Sequence, residues 1–160
     1  MFFIDIRERC VIISEFVTQR KTMPQLIRFG VSLEKELFDH FDKRIKKKGY
    51  TNRSEAIRDL IREDLVEVEW QEGKDVAGAI TLVYDHHKRD LLNRLMDVQH
   101  DHHTNILSTS HIHLDHHNCL EIIVTQGTPV NIKNLFEKLK ALKGIKHVGM
   151  AMSTMGKEVV

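Results

Sequence analysis

A dense group of metal-binding side chains lies near the middle of the chain. Residues 99–122, QHDHHTNILSTSHIHLDHHNCLEI, contain seven of the eleven histidines and one of the two cysteines. Neutral imidazole and thiolate are ligands for late first-row divalent metals. These residue types predict a metal site, and their spacing indicates which of them share an ion.

Strand geometry and a turn select the candidate ligands. His111 and His113 are two residues apart, so on a strand they point to the same face. Cys119 would lie roughly 20 Å from His113 on a straight strand. The polar segment between them favours a reversal near His116, which would place Cys119 opposite His113 in a hairpin. His100, at the end of the preceding predicted helix, is the natural fourth donor, from the same chain or from a neighbour.

The remaining polar residues of this segment receive lesser roles. Glu121 falls on the same strand face as Cys119, so it is a candidate acceptor for the ring N–H of a ligating imidazole. His40 and His147 are expected to be ordinary structural or surface residues. A further set is expected to consist of exposed loop residues or weak secondary ligands: His86, His87, His102, His103, His116 and His117. The competing interpretation is a histidine-rich surface that binds metal only incidentally.

The donor set does not by itself identify the metal. Three imidazoles and one thiolate suit Ni(II) or Cu(II) in a square-planar site and Zn(II) in a tetrahedral site. Binding displaces protons from imidazole and thiol, so we expect affinity to fall as the pH drops through about 6.5. A complete four-ligand site leaves no open position for a substrate, and the sequence offers no nucleophile–base pair. An enzyme is therefore not expected.

The elements that must position these residues follow one another as β-α-β-β-α-β. The pattern predicts a strand at 76–86, a helix at 88–100, strands at 107–114 and 118–127, a helix at 131–144 and a strand at 145–152. This order is the ferredoxin-like arrangement. It packs two helices on one face of a four-stranded sheet and leaves the other face for association.

A smaller β-α-α segment precedes this domain. Residues 26–33 alternate between apolar and polar side chains, as in a half-buried strand. A helix over 34–50 follows, with Gly49 as its C-cap. A second helix opens at Asn52, where Glu55 completes a capping-box pattern, and it buries a stripe of Ala56, Ile57, Leu60, Ile61 and Leu65. So small a unit has little core, and its lone strand needs a partner, most simply an identical chain.

The overall composition narrows the class of protein. A chain of 160 residues with 41% hydrophobic residues and a net charge of +1 is typical of a globular protein, and its charge argues neither for nor against nucleic acid. Cys10 and Cys119 suggest no disulfide framework, so a reduced, cytoplasmic protein is expected. No apolar run approaches the ~20 residues of a membrane span, and the charged N-terminus is a poor signal peptide.

Two motifs in combination carry a resemblance to a known family. The sequence LIRFGVSL followed by GYTNRSEAIRDLIRE resembles the ribbon-helix-helix DNA-binding proteins. Together with the QH…HIH…C spacing, the chain from about Met23 onwards resembles the NikR family of nickel-responsive regulators. The resemblance implies a homotetramer, a dimer of dimers, with one square-planar Ni(II) per subunit. It also implies that His111, His113 and Cys119 come from one chain and His100 from its neighbour.

The resemblance implies DNA contacts as well. A two-stranded ribbon would enter the major groove of a DNA operator and present Arg28, Gly30 and Ser32 to the bases. The family usually has a hydroxyl side chain where this sequence has Gly30. The start of the second helix, at Arg53 and Ser54, would contact a phosphate. Lys88 and Arg89 match family positions that contact DNA. Glu55 and Asp59 match a weaker cation site of the family, and the alternative is that they are simply a helix cap and a solvent-facing charge.

These inferences add up to an α+β protein with three parts. An N-terminal extension at 1–24 is expected to be a disordered arm or a start-site artefact. A ribbon-helix-helix domain at 25–70 is followed by a polar junction at 70–75 and an ACT-like, ferredoxin-like domain at 76–158. The expected function is nickel-dependent repression of nickel-uptake genes at a palindromic operator. The alternatives are a regulator that responds to copper or zinc, and a cytoplasmic metal-buffering protein.

Overall fold

The computed structural model describes residues 26–157 and 159. The predicted extension at 1–24 lies outside the described residues. The chain divides into two compact units, 1–40 and 41–160. None of the helices in the described part of the chain is both long and apolar enough to cross a membrane.

In the first unit, the predicted strand over 26–33 is not formed in the single chain. The described residues before Lys35 adopt neither helix nor strand. Their apolar side chains are open to solvent, with Ile27 83% and Phe29 67% exposed. A lone strand leaves its backbone N–H and C=O groups without ladder partners, so a strand here would require another strand to pair with.

Two helices follow, and their ends are set by local sequence. Helix α1 covers Lys35–Lys47, and Gly49 then adopts φ 81°, as expected for a C-cap glycine. Helix α2 covers Arg53–Glu72. The side chain of Asn52 accepts a hydrogen bond from the Glu55 amide at 2.8 Å, so the predicted N-cap is confirmed.

Helix α2 differs from its prediction at two places. It continues into the expected junction as far as Glu72 and ends at a left-handed Gly73 cap. Trp70, inside this stretch, is buried and donates its indole N–H to the Ser153 carbonyl at 2.9 Å. The predicted stripe is buried only in part. Ala56 is 2% exposed, but Leu60 and Ile61 are 45% and 49% exposed, because one chain provides no surface to cover them.

The predicted β-α-β-β-α-β order is confirmed. The elements are β1 (Val76–Asp85), α3 (Arg89–Asp101), β2 (Ile106–His113), β3 (Asn118–Gly127), α4 (Pro129–Lys140) and β4 (Ile145–Ser153), with a 3₁₀ turn at His103–Asn105 before β2. All pairs of neighbouring strands are antiparallel, in the order β2-β3-β1-β4. Strand β3 therefore lies between the strand that carries the two histidines and the central strand β1.

The core lies between one face of this sheet and the helices α3 and α4. Alternate residues of β1 and β3 point into it and pack against leucines of both helices: Ile80, Leu82, Tyr84, Cys119, Ile123, Leu91, Leu95, Leu135 and Leu139. The opposite face of the sheet is partly open, with Ile112 41% and Val124 37% exposed. The Cys119 side chain therefore lies on the buried face of the sheet.

Candidate metal centre

The β2–β3 hairpin has the register that the sequence predicts. His113 pairs with Cys119, and His111 pairs with Glu121. Asp115 fixes the turn between the strands, since its Oδ1 accepts hydrogen bonds from the amides of His117 and Asn118, both at 2.7 Å. Asp115, two residues after His113, thus stabilises the turn that brings the His113 imidazole and the Cys119 thiol together.

The closest group of donor atoms is centred on the Cys119 sulfur. Its Sγ lies 3.2 Å from Nδ1 of His113 and 3.2 Å from Nδ1 of His86. One ligand atom from each of these three residues lies within 4.8 Å of the others. Cys119 is fully buried, His86 half-buried and His113 exposed, so the group opens from the core toward solvent.

The separation of these atoms fits donors that share one ion. Nitrogen and sulfur ligands lie about 2.0–2.3 Å from zinc. Two such donors are then roughly 3.1 Å apart at a right angle and roughly 3.6 Å apart at a tetrahedral angle. The observed 3.2 Å falls in this range. Imidazole and thiolate together suit Ni(II), Cu(II) and Zn(II).

The place of His86 in this group was not predicted from the sequence. Its position follows from strand pairing, because Tyr84 of β1 lies opposite Cys119 of β3. His86 is two residues beyond Tyr84, just past the end of β1, and its ring lies against the Cys119 thiol. The histidine is close to Cys119 only through the β1–β3 register, which joins segments 33 residues apart.

His111 takes part in a neighbouring hydrogen-bond network. Its Nδ1 lies 3.2 Å from the Tyr84 hydroxyl, which donates to Oε2 of Glu121 at 2.6 Å. Because an ionised carboxylate only accepts, the single hydroxyl proton is committed to Glu121. His111 must then donate its Nδ1 proton to Tyr84. This leaves the Nε2 lone pair free for a metal.

Glu121 therefore acts on the imidazole through Tyr84 rather than directly. The carboxylate is 6% exposed, and its other oxygen accepts from Nε2 of Gln99 at 2.6 Å. Gln99 lies in α3, immediately before His100. One chain of hydrogen bonds thus connects His111 to the helix that carries the predicted fourth ligand.

The single chain does not bring His100 to the thiol. His100 is exposed, and its ring centroid lies 6.0 Å from that of His103. Within residues 26–157, the donor group that contains Cys119 has only His86 and His113 as its other members. The His111 and His113 rings have their centroids 5.0 Å apart, so His111 borders this group.

Burial and nearby charges set the protonation of the buried groups. Desolvation raises the pKa of the Cys119 thiol, and the charges of Asp115, Asp85 and Glu121 raise it further. Burial and the hydrogen bond to Glu121 likewise raise the pKa of Tyr84, which keeps its hydroxyl proton. A metal must therefore displace the thiol proton to bind Cys119.

The other histidines differ from one another in environment. His102, expected at the surface, is buried, and its Nδ1 lies 2.9 Å from the Val98 carbonyl, where it caps the end of α3. This is a correction, and its cause is the turn that follows the helix. His103 is exposed, with Nδ1 2.9 Å from the His100 carbonyl. His87, His116 and His117 are exposed and lie together.

The residues expected to contact DNA are accessible. Exposed side chains or backbone positions are found at Arg28, Gly30, Ser32, Arg53, Ser54, Lys88 and Arg89. Arg53 is engaged by Asp42, to whose Oδ1 its Nε donates at 2.7 Å. A phosphate at the start of α2 must therefore compete with this carboxylate for the guanidinium.

The expected weaker cation site at Glu55 and Asp59 holds arginine side chains. Arg62 Nη1 lies 2.8 Å from Asp59 and 3.7 Å from Glu55, and Arg58 also binds Glu55. Asp59 accepts a further hydrogen bond from the Tyr50 hydroxyl at 3.0 Å. An added cation would have to displace these guanidinium groups.

Two family models match this chain. The one described as "NikR C terminal nickel binding domain" matches residues 77–153, and the one described as "Ribbon-helix-helix protein, copG family" matches residues 27–67. Two curated relatives have been given the provisional name nickel-responsive regulator. The protein from Syntrophus aciditrophicus is 56% identical over 84% of this chain and 98% of its own length. The protein from Chlorobium limicola is 54% identical over 84% of this chain and 100% of its own.

Solved structures are more distant. An uncharacterized protein from Thermotoga maritima aligns with a TM-score of 0.46 at 15% identity, and covers 49% of this chain and 98% of that one. The ACT domain of a GTP pyrophosphokinase from Chlorobium tepidum aligns with a TM-score of 0.41 at 19% identity, and covers 49% of this chain and 100% of that one.

Proposed function

This chain belongs to the NikR family of nickel-responsive regulators, and we propose that it represses nickel-uptake genes when Ni(II) is bound. It is a nickel-responsive regulator with a ribbon-helix-helix segment and a C-terminal nickel-binding domain, and it is not an enzyme. The observation that carries the finer proposal is the thiol–imidazole group at Cys119 in the same chain as a DNA-binding segment.

The proposed ligands are His100, His111, His113 and Cys119, with one Ni(II) per subunit. The contact between His113 and Cys119 supports this set, and so does the Tyr84 contact that leaves Nε2 of His111 free. His100 would come from the neighbouring subunit of a dimer-of-dimers tetramer. Bound Ni(II) would supply a fixed positive charge and would prefer a few nitrogen and sulfur donors. Because these donors come from two subunits, the ion would join the subunits.

The DNA-binding surface in this proposal is a ribbon formed by two chains. Residues 26–33 of one chain would pair with the same residues of another, which places Arg28, Gly30 and Ser32 on the outer face. The exposed apolar residues of this segment support the pairing, because a second chain would bury them. Arg53, Ser54, Lys88 and Arg89 would contact the phosphate backbone of a palindromic operator. A DNA-binding role would require the protein to be in the cytoplasm.

Nickel and operator binding are coupled in this proposal. Holding His100 of one subunit against the hairpin of its neighbour fixes the relative positions of the DNA-binding pairs. The hydrogen bonds from Gln99 through Glu121 and Tyr84 to His111 would transmit the state of the site to α3. Linkage then requires that operator DNA tighten nickel binding by the same factor by which nickel tightens DNA binding.

Operator binding with and without Ni(II) tests the proposal. In a gel-shift titration, His111→Ala should abolish nickel-dependent operator binding, because it removes a ligand. His86→Ala is the matched comparison, since it removes an imidazole that contacts the same thiol but lies outside the proposed set. It should retain the nickel response.

Three outcomes would change the proposal. A nickel response that survives in His111→Ala but is lost in His86→Ala would replace His111 with His86 in the ligand set. Operator binding that follows Cu(II) or Zn(II) rather than Ni(II) would make the protein a sensor of another metal. Metal binding with no change in DNA affinity would indicate a buffering protein.

A further inference from the structure

The last turns of α2 pack against the nickel-binding domain through Trp70. This side chain is 3% exposed and donates its indole N–H to the carbonyl of Ser153, the last residue of β4, at 2.9 Å. We infer that Trp70 is a positioning residue of the nickel response, an inference that rests on the function proposed above. It fixes the direction of α2 on the nickel-binding domain, so that a change at the metal reaches the DNA-binding end of the helix.

A small apolar cluster beside the main core surrounds the indole. Its members come from two helices and two strands, and we call them the Trp70 cluster: Val66 and Trp70 of α2, Val76 of β1, Ile132 of α4 and Met150 of β4. Val76 and Ile132 are fully buried. Aromatic side chains bury a large apolar area, and a buried indole N–H needs an acceptor. Packing and a hydrogen bond therefore both hold the Trp70 ring in place.

Gly78 of β1 leaves room for the indole. A Cβ at this position would lie 3.4 Å from Cζ2 of Trp70 and 3.2 Å from the carbonyl oxygen of Ala151. The ring therefore lies close to the backbone of one of the two central strands. Nζ of Lys133 in α4 lies over the ring, 6.0 Å from its centroid, at the outer range of a cation–π contact. The sheet and α4 thus both contact the tryptophan of α2.

The covalent connection between α2 and β1 would not fix the helix by itself. Residues 73–75 link the two elements, and Gly73 adopts φ 76° with nothing within 4 Å of the place where a Cβ would be. Glycine changes its backbone dihedral angles more readily than other residues do. The Trp70 cluster therefore supplies a constraint that this short connection lacks.

A straight helix carries a change of direction along its whole length. Arg53, a proposed phosphate contact, opens the same helix that contains Trp70. At a rise of ~1.5 Å per residue the two lie about 25 Å apart along the axis. A tilt of about 10° at the Trp70 end would then move the Arg53 end by roughly 4 Å, which is longer than a hydrogen bond. Operator contacts at the start of α2 consequently depend on how firmly its other end is held.

Fluorescence tests the contact itself without metal or DNA, because Trp70 is the chain's only tryptophan. In the full-length protein its emission should be blue-shifted, and acrylamide should quench it poorly until the protein unfolds. Emission typical of an indole in water, quenched as readily as that of free tryptophan, would overturn the inference.

Gel-shift titrations with and without Ni(II) test the positioning role. We define the nickel gain as the ratio of the operator affinities with and without Ni(II). It should fall about 10-fold in Trp70→Ala, a size typical of residues that lie between two coupled sites. Nickel affinity without DNA, measured by chelator competition, should not change, because Trp70 is not a proposed ligand. Trp70→Phe keeps the packing and loses the hydrogen bond, so its nickel gain should lie between those of the wild type and Trp70→Ala.

A variant of the main core controls for general destabilisation. Leu139 of α4 is fully buried there, so Leu139→Ala should lower the melting temperature and keep the nickel gain. Equal losses of the nickel gain in Leu139→Ala and Trp70→Ala, or a wild-type gain in Trp70→Ala, would overturn the inference. If Trp70→Ala does not fold, Trp70→Phe decides, and an unchanged nickel gain in that variant has the same meaning. A wild-type protein with no nickel gain would instead contradict the proposed function, and the inference with it.

Discussion

At the scale of single residues, Tyr84 connects the metal chemistry to the fold. It belongs to the core face of β1 and is 1% exposed, yet its hydroxyl reaches both Glu121 and His111. A buried hydroxyl needs a partner, and here the partner is a buried carboxylate that would otherwise be poorly satisfied. The arrangement fixes the tautomer of His111 before any metal arrives.

Tyr84→Phe should weaken nickel binding by about 10- to 100-fold, the usual effect of losing an outer partner of a metal ligand. The variant frees His111 to rotate and to change tautomer. Among the described residues, it leaves only Gln99 as a side-chain hydrogen-bond partner of Glu121. A competition titration with a nickel chelator measures the change.

The chain provides a matched control for this variant. The other tyrosine, Tyr50, also donates its hydroxyl to a carboxylate, that of Asp59, but in the α2 region. Tyr50→Phe should leave nickel affinity unchanged. Equal losses in both variants would mean that the Tyr84 hydroxyl has no specific role at the site.

At the scale of elements, a charged contact links α1 to the first turn of α2. Asp42 accepts from Arg53 at 2.7 Å and lies 3.3 Å from Lys46. The pKa of Asp42 is held below its usual 3.8. The hydrogen bond from Arg53 is the largest cause, and the contacts with Lys46 lower the pKa further. The same arginine is a proposed phosphate contact, so this pair connects the helix start to DNA binding.

Arg53→Ala should raise the pKa of Asp42 toward 3.8, and Lys46→Ala should raise it less. Because the folded pKa is depressed, the contact stabilises the fold fully above pH 3.8 and is lost as the pH falls through the lower folded value. Carboxyl chemical shifts followed by NMR through an acid titration measure both changes. An unchanged Asp42 pKa in Arg53→Ala would show that the contact is not populated in solution.

At the scale of the whole molecule, the open face of the sheet is the surface available for association. Ile112 and Val124 lie on this face, opposite to the one that carries Cys119, and are 41% and 37% exposed. Exposed apolar side chains on one face of a sheet make that face a candidate interaction surface. The proposed tetramer would bury it.

Val124→Glu should reduce the mass of the assembly in sedimentation velocity, because it would bury an unpaired charge in the interface. Val130→Glu is the matched control, since Val130 is 73% exposed on α4, away from the sheet face. A tetramer that persists in Val124→Glu would move the interface elsewhere. A monomeric wild-type protein would contradict the proposed assembly itself.

The sequence by itself determined the order of elements and the hairpin that pairs His113 with Cys119. These features depend on local causes: alternation of side chains, the Asn52 cap, and a turn closed by Asp115. Each acts over a few residues, so its effect can be recognised in a short segment. The ligand types and the metal class follow from the same segment.

Only the tertiary structure decided which residues meet from distant segments. The β1–β3 pairing brings His86 to Cys119, and it places Tyr84 between His111 and Glu121. Packing of α3 adds Gln99, and the turn after α3 buries His102. Except for the His102 contact, these contacts join residues at least 22 positions apart, so they depend on strand order and register. No local pattern encodes them. The exposed segment at 26–33 shows the same limit, because the strand predicted there would need a pairing partner from outside its own sequence neighbourhood.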